Sequence, residues 1–354
     1  MKRKEEHVEI AISQDVQNEH NYWNDLALLH SALPEIDARD IDTGVEFFGK
    51  KLSFPFIIAA MTGGYEDAKV INENLARAAE KLKVGFGIGS ERAIFKKDSI
   101  RSYSVVKKYD VPVKIANIGA PQLIDQGKER ALKVEDLERI IDIIDANFLA
   151  IHLNFLQEIV QPGGETRAKG ILDAIGKVVS EIDVPVIVKE TGGGISKGAA
   201  EKLKSAGVKC IDVGGAGGTS FSAMEHYRAV ASGSEILQHL GKSFWNWGIP
   251  SPISLMMVRG TGLKVIATGG IRSGIDVAKA LALGADVASA AYPFLKPATR
   301  SYRDVVLLLQ TYMEGLRSAM FLQGLSSIEE LRSARVLFFG RLREWRDELG
   351  LSNI

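Results

Sequence analysis

A parallel sheet closed into a (β/α)8 barrel of the TIM type is the fold class this sequence predicts, on three observations. Eight short apolar runs rich in β-branched residues recur between residues 54 and 295, and six of them close on Gly, Asn, Ser or a charge. Segments of helical period lie between them. The strand-and-helix unit repeats often enough to close on itself, with an open doubly wound sheet as the alternative.

The runs are, in order, "FPFIIAAMTGG" at 54–64, "VGFGIGSER" at 84–92, "VPVKIANIGAPQ" at 111–122 and "FLAIHLN" at 148–154. There follow "VPVIVKETGGG" at 184–194, "CIDVGGAGGTS" at 210–220, "LKVIATGGIRSG" at 263–274 and "DVASAAYPFL" at 286–295. Helical patterns fall at 66–83, 134–145, 168–182 and 196–207, with Asp or Ser near several starts and Gly207 near one stop. Residues 1–53 read as an irregular, charged lead with a possible helix around 21–31. Residues 301–354 carry a helical region at 303–320 and a charged helical pattern at 327–348. Both ends read as decorations on a barrel core at 54–300, so the expectation is a single domain over 1–354.

Composition narrows the function classes. The 354 residues are 46% hydrophobic and 25% charged, ordinary for a globular chain with a large core. Forty-four basic residues balance forty-four acidic ones, so no overall field recruits nucleic acid or an anionic membrane, and an anionic ligand must be gripped locally. A single cysteine, Cys210, excludes an internal disulfide and a cysteine-cluster metal site, which fits the cytoplasm. The basic start "MKRKEEHVEIAISQ" has no apolar run behind it and does not read as a signal peptide, and no stretch approaches the ~18 apolar residues of a membrane span.

The chemistry belongs at the C-terminal ends of the strands, where a barrel gathers its active site and where the loops after strands seven and eight commonly hold phosphate. In "TGGIRSG", Gly269 and Gly270 let backbone N–H groups approach an anion. A second glycine cluster after strand six, "GGAGGTS", favours one shared phosphate pocket over two plain turns. Neither loop has dinucleotide or triphosphate spacing, so a mononucleotide such as FMN suits it best.

In "FLAIHLNFLQE", a period of two puts Leu149, Ile151 and Leu153 on one face and Phe148, Ala150, His152 and Asn154 on the other. The second face turns polar at its end, as a strand opening on a functional cavity would. Lys189 ends strand five; it either meets a cofactor or pairs with Glu190 or another rim carboxylate. Ser90 and Asn117 end strands two and three, where both could bond a ring edge. Glu158 either holds a divalent cation through one carboxylate or sits as a helix N-terminal carboxylate. His152 is either functional or a packed lumen imidazole. "RKEEH" at 3–7 is either a solvated start or a flap, Arg92 adds a guanidinium at the rim, and Trp247 is a cavity wall or core.

Taken together, these motifs resemble the type 2, FMN-dependent isopentenyl-diphosphate delta-isomerases. The resemblance rests on Arg3-Lys4-x-x-His7, "MTGG", "GSER", "NIGAPQ", "HLNFLQE", "VKETGGGIS", "DVGGAGGTS", "WGIP" and "ATGGIRSG", and spans nearly the whole chain. It implies FMN contacts at Met61, Thr62, Gly63, Ser90, Asn117, Lys189, Thr219, Gly269, Gly270, Arg272, Ala290 and Ala291. It implies substrate diphosphate at Arg3, Lys4, His7, Arg92, His152, Asn154 and Gln157, and Mg²⁺ at Glu158. His152, Gln157 and Lys189 are the implied catalytic side chains, with reduced FMN as the acid–base group and NAD(P)H as its reductant. A homo-oligomer, tetramer or octamer, is also implied. Two departures stand out: Glu91 occupies a position where the family pattern has Gln, and "GGAGG" is richer in glycine.

An FMN-dependent 2-hydroxy-acid oxidase is the competing reading, but such an enzyme needs a base histidine after strand six, where this chain has Gly214, Gly215 and Ala216. The IMP dehydrogenase type needs a nucleophilic cysteine there, whereas Cys210 begins the strand. A non-catalytic flavin-binding protein would have no use for Arg3, Lys4, Gln157 and Glu158 together.

Overall fold

The structure, a computed structural model, describes residues 2–95, 100–127 and 129–351. Eight parallel strands close into a barrel: β1 Phe56–Ile58, β2 Gly85–Gly87, β3 Lys114–Gly119, β4 Phe148–Leu153, β5 Val186–Glu190, β6 Cys210–Asp212, β7 Lys264–Ala267 and β8 Val287–Ala290. Each strand pairs with its neighbours in sequence, and β8 returns to β1 through Ala288↔Phe56 and Ala290↔Ile58. The doubly wound alternative is thereby excluded.

Strand alternation sorts the apolar side chains into two layers. Ile57, Ile115, Phe148, Ala150, Ile187, Cys210, Ile266 and Val287 fill the lumen. Leu149, Ile151, Val188, Ile211 and Val265 face the surrounding helices. The lumen's N-terminal end is stoppered by the antiparallel pair Val45–Phe47 and Lys50–Leu52, whose Phe47 and Leu52 join the lumen cluster. The Phe47 ring stacks on Phe148 with centroids 5.8 Å apart.

The expected helices form at Ala68–Leu82, Val134–Ile144, Ile171–Glu181, Lys197–Ser205 and Tyr302–Phe321. Their ends follow the capping chemistry. Ser196 and Ser273 each accept the backbone N–H three residues on, and Gly207, at φ +89°, closes the helix ending at Ser205.

Three expectations at the chain ends need correction. The charged lead is not irregular: Lys2–Ser13 is an α-helix. The possible helix at 21–31 is a single 3-10 turn, Tyr22–Asp25, followed by the strand Leu26–Leu28. The pattern at 327–348 breaks into the helix Ile328–Arg332, the strand Val336–Phe338 and the helix Gly340–Glu348. One cause underlies the last two. Leu26–Leu28 and Val336–Phe338 pair antiparallel, and this long-range ladder outweighs weak local helix preference. Trp23 then buries completely and donates from Nε1 to Gly269 O at 2.7 Å, which ties the N-terminal segment to the seventh rim loop. Among the described residues no helix is long and apolar enough to cross a membrane.

Candidate active site

One cavity of about 710 Å³ opens at the C-terminal ends of the strands, a size that suits a mononucleotide with a small second ligand. Its walls are the strand ends, the two glycine loops and the helix Lys2–Ser13. That helix lies along the mouth. Helical spacing sets Arg3 and His7 on one face, four residues apart. Arg3 Nη1 donates to Gln161 Oε1 at 3.2 Å, and His7 Nε2 meets Glu225 Oε1 at 2.9 Å. Lys4 Nζ reaches the Ser90 carbonyl and, at 2.7 Å, Tyr103 Oη. Burial drives the Lys4 amine down to about 7, with Arg3 beside it adding to the effect.

His152 lies one register step from Lys189, and Lys189 one step from Asp212. Burial, then the Lys189 charge, drives the imidazole down to about 3, so the ring is neutral at pH 7. Its tautomer follows from Asn117. The Asn117 amide donates from Nδ2 to Ile88 O at 3.0 Å, which leaves Oδ1 to accept from His152 Nδ1 at 2.8 Å. Nε2 therefore carries the lone pair. Lys189 Nζ donates to the main-chain oxygen of Glu190 at 3.1 Å. The Glu190 carboxylate instead collects the N–H groups of Thr191, Gly192 and Gly193, so the expected alternative of a Lys189–Glu190 side-chain salt bridge is not formed.

The short helix Phe155–Val160 carries Gln157 and Glu158 one behind the other. Glu158 is 4% exposed; Oε1 accepts from Asn154 Nδ2 at 2.9 Å, and Oε2 from Gln161 Nε2 and, at 2.7 Å, from the Glu165 N–H. Gln157 Nε2 donates to Glu225 Oε1 at 3.1 Å. Arg92 pairs with Glu165 at 2.5 Å.

Of the residues singled out from sequence, Arg3, Lys4, His7, Met61, Ser90, Arg92, Asn117, His152, Asn154, Gln157, Glu158, Lys189, Thr219, Gly269, Gly270, Arg272, Ala290 and Ala291 all line this cavity. Thr62 and Gly63 lie behind its wall: Thr62 is 2% exposed, and a Cβ on Gly63 would come 2.1 Å from the Tyr103 ring. Gly64 takes the lining position next to them. Trp247 is neither wall nor core; it is 63% exposed and packs edge-on against Phe244.

Sequence reading missed Glu225. It is fully buried on the helix Phe221–Ser232, where it joins His7, Gln157 and, at 2.6 Å, Arg228. Burial would raise its carboxyl, but His7 and Arg228 outweigh burial and hold it below its usual range. Arg228 is a helix neighbour, but the two partners that tie Glu225 to the site, His7 and Gln157, lie 218 and 68 residues away in sequence, so no local spacing announces its role. Tyr103, Glu165 and Asp212 escaped notice for the same reason.

The residues present fit both implied ligands. Gly269 and Gly270, at φ +100° and +82°, are crowded by Gly215, Gly217 and Ser251, so main chain alone faces the pocket there, as a phosphate cradle requires. Mg²⁺ takes one or two carboxylates and completes its shell with substrate oxygens and water. Buried Glu158 suits that donor set, and no cluster of three or more His, Cys, Asp or Glu forms a closed protein cage among the described residues.

Comparison with known proteins agrees with this geometry. The sequence model of the FMN-dependent dehydrogenase family matches residues 159–337. An isopentenyl-diphosphate delta-isomerase of Picrophilus torridus is 47% identical over 344 residues, covering 97% of each chain. That of Archaeoglobus fulgidus is 46% identical over 351 residues, covering 99% of each. A solved mandelate oxidase variant with 2-hydroxy-phenylacetamide superposes with TM-score 0.62 at 18% identity, covering 95% of this chain and 91% of that one, a likeness of fold alone. With its flavin-type barrel and its near full-length identity to these relatives, the chain belongs to the isopentenyl-diphosphate delta-isomerase family.

Proposed function

We propose that the chain interconverts isopentenyl and dimethylallyl diphosphate at this rim, using reduced FMN and Mg²⁺, with NAD(P)H as reductant. The observation that carries the reading is the convergence, in one cavity, of two glycine loops with Arg3, His7, Arg92, His152, Asn154, Gln157 and Glu158. A phosphate-bearing cofactor and a diphosphate ester need that pairing.

The substrate's alkene is unactivated, so isomerisation adds a proton at one carbon and removes one from another through a short-lived tertiary cation. Reduced FMN, when bound, supplies an electron-rich ring that stabilises such charge and nitrogens that carry protons. The protein's share is placement. Arg3, Lys4 and Arg92 draw in the diphosphate, and Glu158 would hold the metal against its oxygens. His152 presents Nε2 as an acceptor, and a diphosphate nearby offsets the Lys189, Lys4 and Arg3 charges that depress it, so ligand binding favours proton uptake at that nitrogen. Gln157, held by Glu225, orients the hydrocarbon end. Lys189 would hold the pyrimidine side of the flavin. The helix Lys2–Ser13 keeps water from the cation.

The oxidase reading finds no base. A Cβ on Gly215 would come 2.7 Å from Ile249 O and Ser251 Cα, and one on Gly214 would come 2.2 Å from Glu190 O, so no imidazole fits there. Cys210, deep in the lumen with its thiol pushed far up by burial, is no nucleophile.

The reading treats 1–354 as one domain working in a cytoplasmic homo-oligomer, tetramer or octamer. The test is direct: purified protein binds FMN and, once reduced anaerobically, isomerises isopentenyl diphosphate in a Mg²⁺-dependent way without consuming a 2-hydroxy acid. A colourless protein indifferent to FMN, or one that oxidises mandelate or lactate, would overturn it.

A further inference from the structure

The lumen is apolar for most of its depth and turns polar only in its last layer. There Asn117, Lys189, Asp212 and Ser289 line a small cavity of about 20 Å³ beneath the main one, floored by Ile57, Ile115, Ile187 and Ile266. Such a cavity has room for one water, and these four side chains offer the two to four polar partners that a buried water needs. Lys189 and Asp212 stand in register on β5 and β6, both facing inward. They do not touch: among the described residues Lys189 makes no ion pair within 4.0 Å, and its ammonium donates to the Glu190 main-chain oxygen.

An ammonium in this setting costs several kcal/mol to desolvate unless an anion answers it. The charged and titratable groups that act on Lys189 are His152 on β4, Glu190 on its own strand and Asp212 on β6. His152 is neutral. Glu190 has spent its carboxylate on three backbone N–H groups. Asp212, 4% exposed, has one oxygen in a long contact of 3.3 Å with the Gly214 N–H and the neutral Thr268 hydroxyl beside it, so no cation other than Lys189 answers its charge among the described residues. Among the described residues it alone is placed to balance Lys189 from inside the barrel.

We infer that Asp212 is a positioning residue for Lys189, holding the ammonium toward the cavity mouth through a water bound in the lumen cavity. Burial pushes the Asp212 carboxyl up and the Lys189 charge pulls it back, as such a pair requires. The inference rests on the reading that Lys189 serves the flavin.

The experiment compares Asp212→Asn with wild type in the FMN-loaded enzyme. Losing the anion leaves the ammonium without the group that aims it, so the loss falls on turnover and not on binding. The turnover number kcat falls about tenfold or more, while KM for isopentenyl diphosphate and the FMN dissociation constant stay within about threefold. An undiminished kcat, or a loss matched in KM or in FMN affinity, overturns the inference. A high-resolution crystal structure of the wild-type holoenzyme tests the bridge without any variant. Density bonded to both Lys189 Nζ and the Asp212 carboxylate supports it, and a cavity without such density overturns it. Lys189→Met separates the two readings. If that variant keeps flavin affinity and turnover, Lys189 has no role at the flavin; if it is inactive while Asp212→Asn behaves as wild type, only the present inference fails.

Discussion

Glu158 and Glu225 show how one residue type does two jobs under burial. Glu158 is surrounded by neutral amide donors, a setting that lets a divalent cation displace one of them. Glu158→Gln therefore weakens Mg²⁺ binding by about 10–100-fold, read as a rightward shift in the Mg²⁺ dependence of the initial rate. Full activity with unchanged Mg²⁺ dependence would refute the metal role. Glu225 instead spends its charge on His7, Gln157 and Arg228. Hydrogen bonds to a buried charge are worth ~1.5–3 kcal/mol each. Glu225→Gln, which keeps shape and drops charge, raises KM for the diphosphate about tenfold or more with FMN affinity unchanged, as steady-state kinetics and flavin titration will report.

The helix Lys2–Ser13 meets the barrel through an apolar patch at Val8, Ile10 and Ala11 and through polar anchors at Arg3, Lys4 and His7. Its docking is linked to protons through Lys4. The free chain holds that proton up to the ordinary 10.5, and the docked helix releases it near 7. Within that window the undocked state binds more protons, so docking tightens as pH rises from about 7 to about 10. Amide-exchange protection of residues 2–13 should increase over this range in wild type and stay flat in Lys4→Met. The helix itself was only partly legible in the sequence. "RKEEH" reads as solvated charge because its partners, Gln161, Ser90, Tyr103 and Glu225, come from four distant places in the chain. The same holds for the Leu26–Leu28 and Val336–Phe338 ladder, which overrode two local helix patterns.

Across the barrel, stability and chemistry sit at opposite ends. The lower lumen is a packed aromatic and aliphatic core sealed by Phe47 and Phe48 against Phe148. Phe148→Ala removes that packing at a cost of ~3–5 kcal/mol. The thermal midpoint should drop by several degrees in calorimetry, while FMN affinity at the far rim changes less than about threefold. A comparable loss of flavin binding would show that the two ends are coupled.

The barrel and most of its rim could be read from the chain alone. Strand period, helix period and the glycine loops are local properties, and in a closed parallel barrel a strand's last inward residue necessarily faces the common cavity. His152, Asn154, Lys189 and Asn117 were found in that way. Folding decided what locality cannot encode: that His7 and Gln157 share the carboxylate of Glu225, that His152 is neutral with its lone pair on Nε2, and that Lys189 looks across a small cavity to Asp212. Burial and charge pairing depend on distance in space, and the chain specifies that distance only once the sheet has closed.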